Sequence, residues 1–357
     1  MLSTLLVLSV LIIVHEFGHF IVAKKMKVRV EKFSLGFGPK IIGRKKGDTE
    51  YTLCAIPLGG YVKMAGDNIE EFKGDAHDYL AKPLSCRAAI ILFGPLLNYV
   101  FGILCFWVVF TTGYPTLGTK IGGLREGFGA KEAGVQVGDK ITAVDGQKIM
   151  LWEDFQKIIQ AKKESMIVKL SILRGGREST LNVNIREIDG SDLLGQRHRI
   201  GVIGIMPSDE IIKIKHGLTQ SFILSLNKTW DLTAITYNAL WRMITGKLSL
   251  RDSVTGPVGI FKITSEAAHK GISQILLLVA ILSTSLAIFN LLPFPVLDGG
   301  HIFLLIVEKI RGRSISVKTE QVITQVGMSM LILLAVVVTY NDILRFFGDR
   351  IARLFGR

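Results

Sequence analysis

Three residues near the start of the chain have the types and spacing needed for metal-assisted chemistry. His15 and His19 are four residues apart, so on a helix they lie about 6 Å apart along the axis on nearly one face. Both ring nitrogens can then bind one cation, and such a pair suits zinc. Glu16 lies between them, within reach of a water molecule at the metal. This H-E-x-x-H pattern predicts a zinc site with a glutamate as general base.

The motif lies inside a segment that has the composition of a membrane span. Residues 2–23 are mainly apolar apart from the motif, and three lysines follow, Lys24, Lys25 and Lys27. About 22 residues suffice to cross a hydrocarbon core of roughly 30 Å, and ionisable side chains there indicate function. The alternative is a signal peptide or plain anchor with incidental polar residues. The absence of an early basic region and of a small-x-small cleavage site argues against it.

Composition extends the membrane prediction to the whole chain of 357 residues, of which 49% are hydrophobic. Three further apolar segments, 88–112, 272–292 and 322–340, are candidate spans. The net charge of +13 is scattered and accompanies no nucleic-acid-binding module, which favours anionic lipid headgroups over nucleic acid as the partner. Cys54, Cys86 and Cys105 have no C-x-x-C spacing, so free thiols are expected.

The segment between the first two spans is basic, with 13 Lys and Arg against 8 Asp and Glu in residues 24–87. The positive-inside rule therefore places it in the cytoplasm and the N-terminus outside. Residues 28–37 and 50–63 have strand composition and predict a β-hairpin. An exposed edge of this hairpin could bind a substrate segment in extended form. A small hairpin that only caps the membrane face is the alternative.

Residues 113–271 have the composition of a water-exposed region. Ala133 to Gly146 resembles the bacterial PDZ signature A-G-x-x-x-G-D-x-I-x-x-V-D-G, which predicts a PDZ domain over residues 113–207. Such a domain binds peptide C-termini by strand addition, although a size-excluding cap without a ligand is the alternative. Apolar residues at helical spacing predict amphipathic juxtamembrane helices in residues 208–271.

The second and third spans each contain polar residues of interest. Asn98 follows a glycine and proline in an apolar run, where helix packing explains it as readily as chemistry. Asp298 follows two prolines and precedes two glycines, and broken backbone at membrane depth is tolerated where it lines a cavity. Asp298 is therefore a candidate third zinc ligand, or alternatively a helix cap. The other candidates fit worse, because Lys25 occupies the third-histidine position of the H-E-x-x-H-x-x-G-x-x-H pattern and Glu31 lies too close after His19 for the usual downstream glutamate.

Taken in chain order, the motifs resemble those of the site-2 protease family of intramembrane zinc metalloproteases, of the bacterial sigma-E regulator type. The motifs are H-E-F-G-H, G-F-G-P, P-L-G-G-Y-V-K-M, G-P-L-L-N, the PDZ signature, G-P-V-G-I and N-L-L-P-F-P-V-L-D-G-G-H. The resemblance covers essentially the whole chain. One departure is that the region between the second and third spans has room for a single PDZ domain, whereas the best-known members have two.

The resemblance assigns roles to particular residues. It implies that one Zn²⁺ is bound by His15, His19 and Asp298 and that Glu16 is the catalytic base. It also implies that Asn98 and Asn290 contact the substrate backbone. The remaining implied substrate-binding residues belong to the hairpin: Gly59, Gly60 and Tyr61.

The expected fold is a polytopic α-helical membrane protein with about four transmembrane helices, a membrane-associated β-hairpin and an inserted extracytoplasmic PDZ domain. Residues 1–112 hold the first two spans and residues 272–357 the last two. The resemblance implies cleavage within transmembrane segments of single-span proteins at the bacterial inner membrane. Expected substrates are anti-sigma factors already cut outside, and remnant signal peptides. Both termini lie outside, and the active site faces the cytoplasmic half. A catalytically silent PDZ scaffold and an ion carrier are the alternatives.

Overall fold

The computed structural model describes residues 2–68, 70–163, 166–191, 197–249, 253–313 and 315–354. Contacts divide the chain into two compact units. The first, a helical unit, comprises residues 1–109, 218–237 and 249–357; the second, a strand-rich unit, comprises residues 110–217 and 238–248.

The described helices are α1 (Leu2–Lys25), α2 (Leu84–Thr112), α3 (Gly129–Glu132), α4 (Trp152–Gln160), α5 (Leu218–Ile244), α6 (Pro257–Lys270), α7 (Ile272–Asn290), α8 (Asp298–Arg311) and α9 (Val317–Leu354). The strands are β1 (Val30–Lys46), β2 (Thr49–Met64), β3 (Tyr114–Leu117), β4 (Ile121–Leu124), β5 (Lys140–Val144), β6 (Gln147–Lys148), β7 (Ile167–Arg174), β8 (Arg177–Asn184), β9 (Arg186–Ser191), β10 (Arg197–Val202), β11 (Ile205–Pro207) and β12 (Ile211–Ile214).

Four helices match the four predicted spans. Among the described residues, α1, α2, α7 and α9 are long and apolar enough to cross a membrane. Helix α9 begins and ends well outside the predicted segment 322–340, because helical spacing continues into its polar flanks. Most apolar side chains along α9 are exposed, as expected for a lipid-facing helix. The chain is therefore a membrane protein with several candidate spans.

Strands β1 and β2 form the predicted hairpin, but parts of β1 pair with two different parts of β2. They join at a turn with Gly47 at φ 61°, and Lys46 pairs with Thr49. Phe33 aligns both with Tyr51 and with Val62, so the first part of β1 lies between two parts of β2. Among the described residues, Gly60 to Met64 pairs with no other strand and forms an outer edge. Among the described side chains of the sheet, these large apolar ones are exposed: Phe37, Ile41, Ile42, Tyr51, Leu53 and Ile56.

The strand-rich unit is built on a four-stranded sheet in the order β6-β5-β7-β8. Helix α4 packs Trp152, Phe155 and Ile159 against the core of this unit, because these residues lie on one helical face. The short strand pairs β3–β12, β4–β11 and β9–β10 complete the unit.

One predicted boundary needs correction. The region 208–271 was expected to be helical, but Ile211–Ile214 forms strand β12, which pairs with β3. The isoleucines there suit a pleated strand, and long-range pairing outweighs the helical spacing that follows. Asp298 is the first residue of helix α8, where the two glycines that follow are helical despite their low propensity.

A buried carboxylate in the strand-rich unit yields a testable pH dependence. Arg174 donates two hydrogen bonds to Asp139, at 2.7 and 2.8 Å, and lowers the pKa of Asp139 below its ordinary value. The ionised pair therefore stabilises the fold above about pH 4, and this stabilisation is lost as the pH falls further. We expect Arg174→Met to lower the melting temperature by a few degrees at pH 7, with the difference from wild type closing below about pH 4.

Thermal unfolding of the purified protein across this pH range measures the effect. Arg177→Met, across the same β-turn, is the matched control and should melt like wild type. A difference between Arg174→Met and wild type that persists unchanged at pH 3 would contradict the assignment.

Candidate metal centre

The two histidines of α1 and the first residue of α8 converge in the helical unit. The Nε2 atom of His15 lies 3.2 Å from Nε2 of His19 and 3.1 Å from Oδ2 of Asp298. The Nε2 atom of His19 lies 3.6 Å from Oδ1 of Asp298. Among the described residues, these three form the one group of His, Cys, Asp or Glu side chains able to hold a metal ion together. Elements from opposite ends of the chain therefore build one donor set.

The spacing of the donor atoms fits a tetrahedral cation. Ligands with bonds of about 2.0 Å at tetrahedral angles lie roughly 3.3 Å from one another, and the three observed separations bracket this value. Oδ2 of Asp298 is buried and makes no acceptable hydrogen bond to any described residue, although His15 is close by. Two imidazole nitrogens and an otherwise unsatisfied carboxylate oxygen make a donor set that suits zinc, with room for a fourth ligand.

Helix α2 contacts both histidine rings at Nδ1, away from their converging Nε2 atoms. The Nδ1 atom of His19 donates to the Ile90 carbonyl at 2.9 Å, which leaves its Nε2 lone pair free for a metal. The helices approach very closely here. A Cβ atom at Gly94 would lie 2.3 Å from the His19 ring, and one at Gly18 would lie 2.2 Å from the Phe93 carbonyl oxygen. Both positions therefore require glycine.

The segment before Asp298 is tightly folded. A Cβ atom at Gly299 would lie 2.3 Å from the Leu291 and Leu292 carbonyl oxygens, and one at Gly300 would lie 2.2 Å from the Phe294 carbonyl oxygen. Val296 has φ of 81°, a conformation that a β-branched residue adopts only when its surroundings impose it. The strain and the two glycines together hold Asp298 against the histidines.

Glu16 faces the outer edge of the β1–β2 sheet. A backbone hydrogen bond joins Val62 to its carboxylate, and a Cβ atom at Gly60 would lie 3.5 Å from Glu16 Cγ. The predicted general base and the outer sheet edge are therefore neighbours.

The other predicted site residues occupy different surroundings. Asn98 is fully buried in α2, with its amide 3.3 Å from His15 Nδ1. Asn290 is the last residue of α7, just before the segment that leads to Asp298. Gly59 has φ of 130° and no room for a side chain beside Phe37, whose ring stacks on that of Tyr61.

Sequence reasoning missed two supporting groups. The Ile90 carbonyl is a backbone group with no side-chain signature in the sequence. Ser283 donates to the Asn98 carbonyl at 2.8 Å across the helix interface. A serine within an apolar span was the available signal for that contact.

Comparison with known proteins covers nearly the whole chain. The profile of Peptidase family M50 matches residues 3–334. A relative from Agrobacterium fabrum, named "Putative zinc metalloprotease Atu1380", is 34% identical over 96% of this chain and 95% of its own length. "Zinc metalloprotease RasP" of Oceanobacillus iheyensis is 28% identical over 96% of this chain and 98% of its own.

The comparison with solved structures concerns a smaller part of the chain. The PDZ domain of the SdrC-like protein from Listeria monocytogenes is 24% identical over 26% of this chain and 88% of its own, with a TM-score of 0.22. The family assignment rests on the two zinc metalloprotease relatives and the profile match. The chain belongs to Peptidase family M50, the site-2 protease family, and is a zinc metalloprotease.

Proposed function

We propose that this zinc metalloprotease cleaves peptide bonds inside the transmembrane segments of single-span proteins, in regulated intramembrane proteolysis. The observation that supports the proposal is the location of the site on a candidate membrane span. His15, Glu16 and His19 lie within α1, a helix long and apolar enough to cross a membrane. A hydrolytic site at that position faces substrates that are themselves in the membrane.

The chain's own groups have distinct parts in the reaction. His15, His19 and Asp298 hold the cation. Bound zinc supplies a Lewis acid for the scissile carbonyl and makes water a better nucleophile at neutral pH. Glu16 takes a proton from the attacking water and returns it to the leaving amine. The apolar helices exclude other water from the site, which strengthens these electrostatic interactions.

Substrate binding is assigned to the sheet edge. A transmembrane helix hides its carbonyls in hydrogen bonds, so it must unwind before cleavage. The outward backbone of Gly60 to Met64 offers replacement hydrogen bonds beside Glu16. Gly59, Tyr61 and Asn290 are the proposed further contacts. The exposed apolar side chains of the β1–β2 sheet support its insertion among lipids.

The basic segment 24–87 supports a cytoplasmic position for the sheet and an active site in the cytoplasmic half of a bacterial inner membrane. Both termini and the strand-rich unit then lie outside. We assign this unit as a PDZ domain that binds peptide C-termini. A cavity of about 240 Å³ between α4 and residues 201–207 supports that role. Substrates are then single-span proteins already trimmed outside, such as anti-sigma factors, and remnant signal peptides.

The test is cleavage in detergent of a single-span protein lacking its outer domain, with the products mapped by mass spectrometry. We expect cuts within the apolar segment, loss of cleavage after a zinc chelator, and recovery on adding Zn²⁺. An unfolded water-soluble protein is the control substrate. Equal cleavage of that control would contradict a preference for transmembrane segments.

A further inference from the structure

We propose that Asn98 is a positioning residue for the metal ligand His15. Its side-chain oxygen accepts a hydrogen bond from His15 Nδ1–H and so directs the Nε2 lone pair to the cation. The inference rests on the proposed function and adds to it a residue that controls metal binding rather than substrate binding.

The place of Asn98 is fixed by two helices. Asn98 is fully buried in α2, and its backbone carbonyl accepts a hydrogen bond from Ser283 of α7 at 2.8 Å. One end of its carboxamide lies 3.3 Å from His15 Nδ1. Its other end, Oδ1, is buried without a hydrogen-bond partner among the described residues.

The two possible orientations of this amide have opposite consequences. With the NH₂ group toward His15, Nδ1 accepts and the ring proton must lie on Nε2. That proton would point at His19 Nε2, 3.2 Å away, and would block the metal. It would also leave Oδ1 unsatisfied in the protein interior.

A half-turn of the amide removes the first problem, the ring proton that blocks the metal. The oxygen and nitrogen ends have nearly the same shape, so the half-turn places Oδ1 beside His15 Nδ1 without moving a neighbour. Nδ1 then carries the proton and donates it, and Nε2 faces His19 and Asp298 with a free lone pair. Oxygen acceptors behind metal-bound histidines fix the tautomer in this way in many metal sites.

His19 makes the same kind of contact as the one proposed for His15. His19 Nδ1 donates to the Ile90 carbonyl, which can only accept. Ile90 and Asn98 are about two turns apart on α2, whereas His15 and His19 are one turn apart on α1. The two histidines therefore bond to different kinds of group, one to a backbone carbonyl and the other to a side chain. Helix α2 thus supplies one oxygen acceptor to each histidine of α1.

The experiment measures zinc affinity of the full chain in detergent by competition with a chelator, together with the visible spectrum of the Co²⁺-substituted protein. We expect Asn98→Leu to weaken zinc binding by about 10- to 100-fold. Asn98→Asp keeps an oxygen acceptor and should stay within a few-fold of wild type, with the same four-coordinate Co²⁺ spectrum. Asn290→Leu is the matched control and should keep wild-type zinc affinity while changing cleavage.

The possible results distinguish a positioning role of Asn98 from direct contact with the substrate. Wild-type zinc affinity in Asn98→Leu, with a higher KM alone, would overturn the positioning role and favour substrate contact. If Asn98→Leu does not fold, Asn98→Asp remains decisive, because an NH₂-donor role predicts that this variant binds zinc more than tenfold tighter than wild type. Failure of the wild type itself to bind zinc would instead overturn the proposed function.

Discussion

Glu16→Gln is expected to abolish cleavage of a single-span substrate while zinc content stays at the wild-type level. Glutamine has the size of glutamate but cannot accept the proton of the attacking water. General acid–base groups contribute about 10²- to 10⁴-fold, so a loss of at least about 100-fold is expected. Because Glu16 is not among the three converging donor residues, the metal should remain bound.

The measurement pairs the rate of substrate cleavage with metal analysis of the same samples. Glu266→Gln, at an exposed glutamate on α6, is the matched control and should cleave like wild type. Substantial activity in Glu16→Gln would remove Glu16 as the base. Absence of cleavage in both the variant and the wild type would instead revive the scaffold alternative.

Asp298→Ala is expected to lose most of its zinc and, with it, all measurable cleavage. The substitution removes the one donor that α8 provides and leaves the two histidines of α1 to hold the cation alone. Two ligands bind zinc far more weakly than three, so dialysis against a mild chelator should empty the variant but not the wild type.

Zinc content after that dialysis is the readout. His301→Ala, one turn further along α8, is the control and should retain its zinc. Full zinc occupancy in Asp298→Ala would exclude Asp298 as a ligand. The same result would limit its role to capping the start of α8.

Local patterns were sufficient to predict much of this site. The helical period alone places His15 and His19 on one face of α1, and apolar runs located all four candidate spans. The prolines and glycines around Asp298 predicted irregular backbone, and the positive φ of Val296 confirms it.

Long-range packing decided the rest. Nothing within residues 211–214 reveals that they pair with β3 almost a hundred positions earlier. The alignment of Phe33 with two different parts of β2 depends on how the sheet folds over itself. The Ile90 acceptor is a backbone atom that every residue possesses, so only the close approach of α1 and α2 at Gly94 identifies it.

The proposed donor atoms belong to α1 and α8, so a cation bound to them would link segments from the two ends of the polypeptide. The free energy of binding this cation would then stabilise the folded state, because an unfolded chain cannot bring these donors together. Resistance of the helical unit to unfolding should therefore rise with the logarithm of free zinc concentration. In a cell that is short of zinc, the zinc-free protein would then lose its folded state as well as its activity. Its degradation by other proteases would determine the amount of protein that remains.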